Sequence, residues 1–381
     1  MLKCEECNAH TLLSYDTLPL WLQKVLDLFF FEHYLHLLEL GYALVFYNLC
    51  WPFVFSQAAA LTPAFFLSLL AYNALVMLSS FGLWHLYVFH GPHTPALRSK
   101  KFNPINQYEG VEGSANLRRE VFYTSLGMLQ STALQALGMW MFATGRAPYY
   151  ADFWSAPAFS LLTLFAVNLW RTSHFYFVHR FMHPWGWKVG GVDIGLAVYN
   201  AVHSLHHKSR EFGGSDIFRH RHHHTLTFLT PPTDPFFFSE NPGPWAGLSM
   251  HPVEHLLYYS CCWPMLLLRF HPLVFLFAKF HADVSPVGGH DGHEDPGGGG
   301  MGYHWLHHHR FEVNFGVPTI DFDRIFGNFV DPKAFAACGG DLEKARRLTQ
   351  LWDRARGWGP ALATLPGPEA LGEEGKKAKF S

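Results

Sequence analysis

The chain predicts an all-α integral membrane protein: about four transmembrane helices and a membrane-dipping helical hairpin, carrying a histidine-rich cap on the cytosolic side. Three observations support this. Charged residues make up only 15% of the 381 positions and aromatic residues 17%, where a charged share of about 25% is usual. Apolar residues gather into blocks of membrane-crossing length. Eight of the 26 histidines form three clusters: His179-Arg-Phe-Met-His183, His203-Ser-Leu-His206-His207 and His304-Trp-Leu-His307-His308. Residues three and four apart share one face of a helix, within about 5–6 Å of each other.

Residues 1–27 read as a cytosolic tail. They mix acids, bases and turn formers, without the apolar run and small-residue cleavage site of a signal peptide. Cys4 and Cys7, with His10 behind them, supply at most half of a zinc site, because a closed structural site takes four ligands. The six cysteines show no disulfide-framework spacing and read as free thiols.

The membrane anchor occupies 28–156 and continues into a fourth helix. A crossing takes roughly 20 mostly apolar residues, which 28–55, 61–90, 120–143 and 157–178 supply. Glu32, His33, His36 and Glu39 interrupt the first of these, so its opening turns lie at the interface or face a protein interior. The fourth runs on without a breaker to His183. A helix over 157–183 would be about 40 Å long against a hydrocarbon core of about 30 Å, so its end should carry His179 and His183 into water. Arg98, Lys100, Lys101, Arg118 and Arg119 lie between the second and third spans, whereas 144–156 holds only Arg146. The positive-inside bias then places both termini and the histidine clusters in the cytosol.

Residues 251–280 form a further apolar stretch, broken by Pro264, Arg269 and Pro272. It reads as a hairpin that enters the membrane and returns, although two full crossings would give the same parity. Asp291–Gly302 is a Gly-rich loop, and 331–381 is a polar C-terminal tail with one short helix over 341–356. Residues 208–241 sustain neither a strand nor a helix period and read as an unusually long loop.

A formal net charge of −2 excludes a nucleic-acid footprint, so no nucleic-acid partner is expected. Imidazole suits iron, zinc, copper or nickel. Eight or more ligands exceed what one ion uses, which implies two metals. Soluble di-iron bundles take mostly carboxylates; here histidine must supply nearly everything.

The motifs HRFMH, HSLHH and YHWLHHHRFEVNFGVPTIDFDRIFG, with NPGPWAGLSMHPVEH and FHADVSPVGGHDG, resemble the fatty acid hydroxylase/sterol desaturase superfamily of integral membrane di-iron oxidases. The resemblance covers about 160–330 and makes 157–330 the catalytic domain. It implies two iron ions, O2 as co-substrate, a lipid substrate in the bilayer, and cytochrome b5 or a reductase as electron donor. Hydroxylation or desaturation of a sterol or fatty acyl chain is the expected reaction. Epoxidation of a squalene-like substrate and aldehyde formation in wax synthesis are alternatives within the superfamily. A membrane metal transporter is the alternative of another class, but the clusters lie at membrane ends rather than along a conduction path.

By position the resemblance makes His179, His183, His203, His206, His207, His304, His307 and His308 metal ligands, and adds His281 and His290. His251 and His255 compete for those last two places, although Pro252 suits His251 to a helix start. Glu254, Asp283, Asp291 and Asn314 are candidates to orient the imidazoles through their other ring nitrogen. No catalytic side chain is expected beyond the metal centre. Trp170, Phe175, Tyr176 and Tyr199 are candidates for the substrate cavity wall. Relatives pass from HHK to NPGPW within a few residues, whereas here 210–240 intervenes; this makes His220–His224 insertion residues rather than ligands. Lys377 and Lys379 resemble a dilysine retrieval signal and point to the endoplasmic reticulum membrane.

Overall fold

The computed structural model describes residues 34–91, 106–208, 243–290, 292, 301–317 and 319–355. The Cys4/Cys7 pair, Arg98, Lys100 and Lys101, the 210–240 stretch with His220–His224, Asp291, His293 and the terminal lysines lie outside them. Among the described residues the chain is helical, with two isolated bridges and no strand.

The first helix, α1 (Tyr34–Val45), passes through a π-helical turn into α2 (Trp51–Ala58). A turn follows, and α3 (Pro63–Met77) starts where Thr62 accepts a hydrogen bond from the Phe65 N–H, with Pro63 pre-set for the first helical position. A second π-turn leads into α4 (Leu83–His90). Each pair forms one continuous run, His36–Ala58 and Pro63–His90, and these two runs are long and apolar enough to cross a membrane. The third and fourth expected spans are single helices, α5 (Gly110–Ala143) and α6 (Pro157–Phe181). Helix α5 begins ten residues earlier than its apolar block, and its buried Glu120 accepts a hydrogen bond from Tyr108 Oη at 2.6 Å.

Helix α6 stops at Phe181, because Pro184 disfavours helical backbone before it. His179 sits in its last turn and His183 in the turn beyond, not on the helix as the spacing suggested. Next come α7 (Ile194–Ala201), capped by Asp193, and a 3-10 segment, His203–Lys208, that carries the second cluster. A 3-10 turn at Pro244–Leu248 precedes α8 (Pro252–Tyr259), α9 (Trp263–Leu267) and α10 (Pro272–Val284). His251 and His271 cap α8 and α10, each accepting an N–H through Nδ1, each followed by proline. The cap expected at His251 is therefore present.

Helices α8–α9 and α10 form the two arms of the expected hairpin. The second arm is apolar because it is the bundle's central helix: of its 13 residues all but Asp283 are buried. It packs against α1, α5 and α6, and a helix apolar all round belongs in such an interior. Short α11 (Pro286–Gly289), α12 (Met301–His309), α13 (Phe322–Ile325), α14 (Pro332–Ala337) and α15 (Leu342–Ala355) complete the fold. The last matches the helix expected over 341–356.

One charge lies at the middle of the bundle. Lys279 is fully buried; its Nζ donates to Asp283 Oδ2 at 2.6 Å and Asn73 Oδ1 at 2.5 Å. Ser131 and Tyr259 donate to Asp283, and Asn73 donates to Thr132 and Gln135. The network ties α3, α5, α8 and α10 together. Lys279→Ala leaves Asp283 without its cation and should cost about 3–5 kcal/mol, read as a lowered midpoint of thermal unfolding in detergent.

Candidate metal centre

Nine buried histidines converge in two adjacent groups, His179, His183, His203, His207 and His307 in one, His206, His290, His304 and His308 in the other. Within each group every ligand atom lies within 4.8 Å of the others. None of the nine is more than 5% exposed. Each HxxHH motif serves both groups. His203 and His207, four apart, join the first and His206 the second; His304 and His308 join the second and His307 the first.

Proton positions decide what these rings can do. His179 Nδ1 donates to the Phe315 carbonyl at 2.6 Å and His307 Nδ1 to the Val313 carbonyl at 2.7 Å. His290 Nδ1 donates to the Pro286 carbonyl at 2.8 Å and His203 Nδ1 to Glu254 Oε1 at 2.6 Å. A carbonyl only accepts, so the proton is on Nδ1 and the Nε2 lone pair is free. Yet His179 and His203 Nε2 lie 3.1 Å apart, and His290 Nε2 lies 3.2 Å from His206 and 3.0 Å from His304. Lone pair facing lone pair, as in the His179–His203 pair, is repulsive; in the second group the tautomers of His206 and His304 are not set by any partner at Nδ1. A cation between such rings turns the repulsion into ligation: with metal–nitrogen bonds of about 2.0–2.1 Å, neighbouring ligands stand about 3.0–3.4 Å apart. The residues present therefore fit a metal ion in each group.

Burial, reinforced by neighbouring imidazoles, holds His206, His207, His304, His307 and His308 well below their ordinary pKa, and burial takes His203 down to about 3. All six are neutral at physiological pH, the form that ligates.

Nine of the ten expected ligands meet. His281 joins neither group: it lies in a third cluster with His36 and Glu39. Arg171 Nε donates to His281 Nδ1 at 3.4 Å, and His281 Nε2 faces Glu39 Oε2 at 3.9 Å. With His36 these groups form a separate set that could hold a metal ion of its own. His36 Nδ1 donates to the same Glu39 oxygen at 2.7 Å, and Glu39 is fully buried, so these two polar residues of the first span's opening are turned toward the protein interior, while Glu32 and His33 lie outside the described residues. His255 is structural too. Its Nε2 donates to the Leu248 carbonyl at 3.0 Å, and a Cβ at Gly127 would stand 2.7 Å from that atom.

Of the expected orienting groups, Glu254 does hold a ligand. Asp283 serves Lys279 instead. Asn314, in the left-handed region at φ 55°, bridges the Tyr303 carbonyl and the Val330 backbone. The backbone carbonyls of Phe315, Val313 and Pro286 escaped the sequence reading because main-chain acceptors have no residue signature.

Asp323, inside the third motif, had no assigned role. It accepts from the Phe315 and Gly316 N–H groups at 2.9 and 2.7 Å and from Tyr303 Oη at 2.5 Å. Burial pushes its carboxyl up to about 6 against the pull of those donors. A Cβ at Gly316 would approach Asp323 Oδ2 to 3.0 Å and Tyr176 to 3.1 Å, so both side chains would have to give way by a few tenths of an ångström.

A narrow cavity reaches the centre between α6 and α8. Phe175, Val178, Met182 and Met250 line it, together with the ligands His179, His203 and His206, so it touches both groups. Phe175 is the one expected wall residue found there. Trp170 donates to the Cys261 carbonyl, Tyr176 stacks on Phe322 and Phe326, and Tyr199 packs against His183 and Phe311.

Comparison of the chain with protein-family models, curated proteins and solved structures gives no match. The geometry defines the class: a helical protein with two membrane-length apolar runs and two buried polyhistidine groups able to hold metal ions.

Asp323→Ala removes two hydrogen bonds from the loop whose carbonyl holds His179, and a third from Tyr303. Stability should fall by about 3 kcal/mol and metal affinity by about 10–100-fold, measured by thermal unfolding and by competition with a chelator.

Proposed function

We propose that the protein is an O2-dependent membrane di-iron oxidoreductase of the fatty acid hydroxylase/sterol desaturase type, acting on a lipid C–H bond. The observation that carries this reading is the pair of converging Nε2 groups opening onto one cavity of Met, Phe and Val. Two nitrogen-rich sites side by side suit a pair of redox metals, and an apolar approach suits a lipid. A transporter would need ligands in file along a span; these converge on one enclosed centre.

In this reading α5 and α6 join the two apolar runs as membrane crossings, α8–α10 dips from the cytosolic side, and both termini are cytosolic. At about 38 Å, α6 exceeds the hydrocarbon thickness of about 30 Å, which raises His179 to the cytosolic surface. Residence in the endoplasmic reticulum, with cytochrome b5 or a reductase as electron donor, belongs to the same proposal.

Iron bound here would supply one-electron chemistry with O2. The chain's own part is positional. Phe315, Val313, Pro286 and Glu254 fix four ring tautomers, so that the lone pairs are aimed before any metal arrives. Burial of all nine rings keeps bulk water from the reacting carbon. Phe175, Val178, Met182 and Met250 supply the apolar part of the approach by which a lipid chain would reach ligands of both groups. No side chain of the centre is required as an acid or base.

Protein purified in detergent should hold about two irons per chain, one for each histidine group. His206→Ala combined with His307→Ala removes a ligand from each and should lose both irons along with O2-dependent turnover. Full iron retention in the double variant, by elemental analysis, would refute the assignment. Sterol and acyl-chain profiling of a deletion strain identifies the substrate by what accumulates.

A further inference from the structure

Between the ligands His183 and His203 the chain makes a small apolar hairpin, Trp185-Gly-Trp187-Lys188-Val189-Gly190-Gly191-Val192-Asp193. Val189 and Val192 bond backbone to backbone in both directions, at 2.8 and 3.1 Å. Gly190 and Gly191 between them sit at φ 58° and 85°, the left-handed pair that a two-residue hairpin turn takes. Asp193 closes the base of the loop, accepting from the N–H groups of Trp185, Gly186 and Leu196. The face this hairpin turns outward is apolar: Trp187 is 59% exposed, Val192 54% and Val189 47%, with Phe181 and Leu196 exposed beside them.

Two observations identify what covers that face. Every exposed position of α6 is apolar, from Phe159 through Ala166 and Trp170 to Phe181. This surface continues into the hairpin, because Phe181 packs on Trp185 with ring centroids 5.6 Å apart and Trp185 stacks on Trp187 at 5.0 Å. Length is the second observation. At about 38 Å, α6 exceeds the hydrocarbon core but fits within the about 40–45 Å of a bilayer with its headgroup layers. The turn that follows α6 therefore lies at headgroup depth. Trp belongs to that layer, and Lys188, the one Lys or Arg of 181–196, suits its phosphates.

We propose that the hairpin is a membrane anchor, with Trp187, Val189 and Val192 inserted among the headgroups of the cytosolic leaflet and Lys188 against lipid phosphate. Placing a loop there costs least when its backbone polar groups are already bonded within the protein, a condition that Asp193 and the Val189–Val192 pair supply. The anchor is packed against a ligand-bearing turn. A Cβ at Gly195 would stand 2.1 Å from the His183 carbonyl and 2.5 Å from the Trp185 ring, so α7 seats directly on both. The hairpin thereby fixes the depth of the metal centre at the bilayer surface. The inference goes beyond the oxidase reading and rests on its placement of α6 across the membrane.

A fluorescent amino acid introduced by nonsense suppression reports the depth of single positions in the full-length protein, with iron content and elution volume recorded for each variant. The protein is placed in phosphatidylcholine nanodiscs whose lipids carry a nitroxide either on the headgroup or deep in the acyl chain. The probe at Val189 or Val192 should lose most of its emission to the headgroup nitroxide. At Ala166 the deep nitroxide should quench it, and at Glu343, exposed on the polar α15, neither should. Two hairpin positions are used so that one misfolded variant leaves the other to decide. Quenching at Ala166 with none in the hairpin, as a protein partner or a second copy covering it would give, overturns the anchor and leaves the crossing of α6 intact. Equal quenching at Glu343 and in the hairpin overturns it too. No quenching at Ala166 refutes the crossing and the anchor together, whereas hairpin and Ala166 quenching in a protein that holds no iron counts against the oxidase reading alone.

Discussion

Everything at the centre depends on the donation of ring protons outward. Four of the nine imidazoles hand their Nδ1 proton to an acceptor, and those acceptors come from separate stretches of chain: Phe315, Val313, Pro286 and Glu254. The Nε2 lone pairs of those four rings are thereby aimed inward, and between His179 and His203 two of them stand 3.1 Å apart, a separation that a cation makes favourable. The bond network that builds the site thus also closes the fold. The loop at 313–316 is tied to α6 through His179 and to α12 through His307, while Glu254 ties α8 to the 3-10 segment. Asp323 anchors that loop from behind.

The bundle below meets an opposite constraint. Arg171, Lys279 and Glu39 are buried where isolated charges are costly. Lys279 is neutralised by Asp283, and Arg171 reaches Tyr258, Cys261 and His281. Removing one partner of such a network costs more than the intact pair contributes. Its value here is geometric: α10 carries Lys279 and His281 two residues apart, on different faces of one turn, so the contacts that satisfy both also fix the helix that leads to the His290 segment.

Much of this was legible in the sequence, for a physical reason. Imidazoles three and four apart lie close together, so the eight clustered histidines that converge could be picked out from local spacing. The helix class follows from apolar block length, and the hairpin from Pro264 and Pro272. What stayed illegible depends on contacts between distant segments. His281 and His290 both lie between the second and third clusters; only the packing of α1, which brings His36 and Glu39 to His281, separates it from the two larger groups. The 3-10 form of His203–Lys208 was equally hidden, since an HxxHH pattern fits either helix type. Spacing also cannot show that each such motif divides its ligands between two groups, because that depends on where the facing motif sits.

The division of each HxxHH motif bears on the cavity. His203 and His206 belong to different groups and both line it, so the cavity meets both groups rather than one. Glu254 stands at this junction, lining the cavity and holding His203 through Oε1. Because that bond sets which ring nitrogen of His203 carries the proton, a substitution at Glu254 should disturb the ring at the boundary between the two groups, although the residue itself belongs to neither.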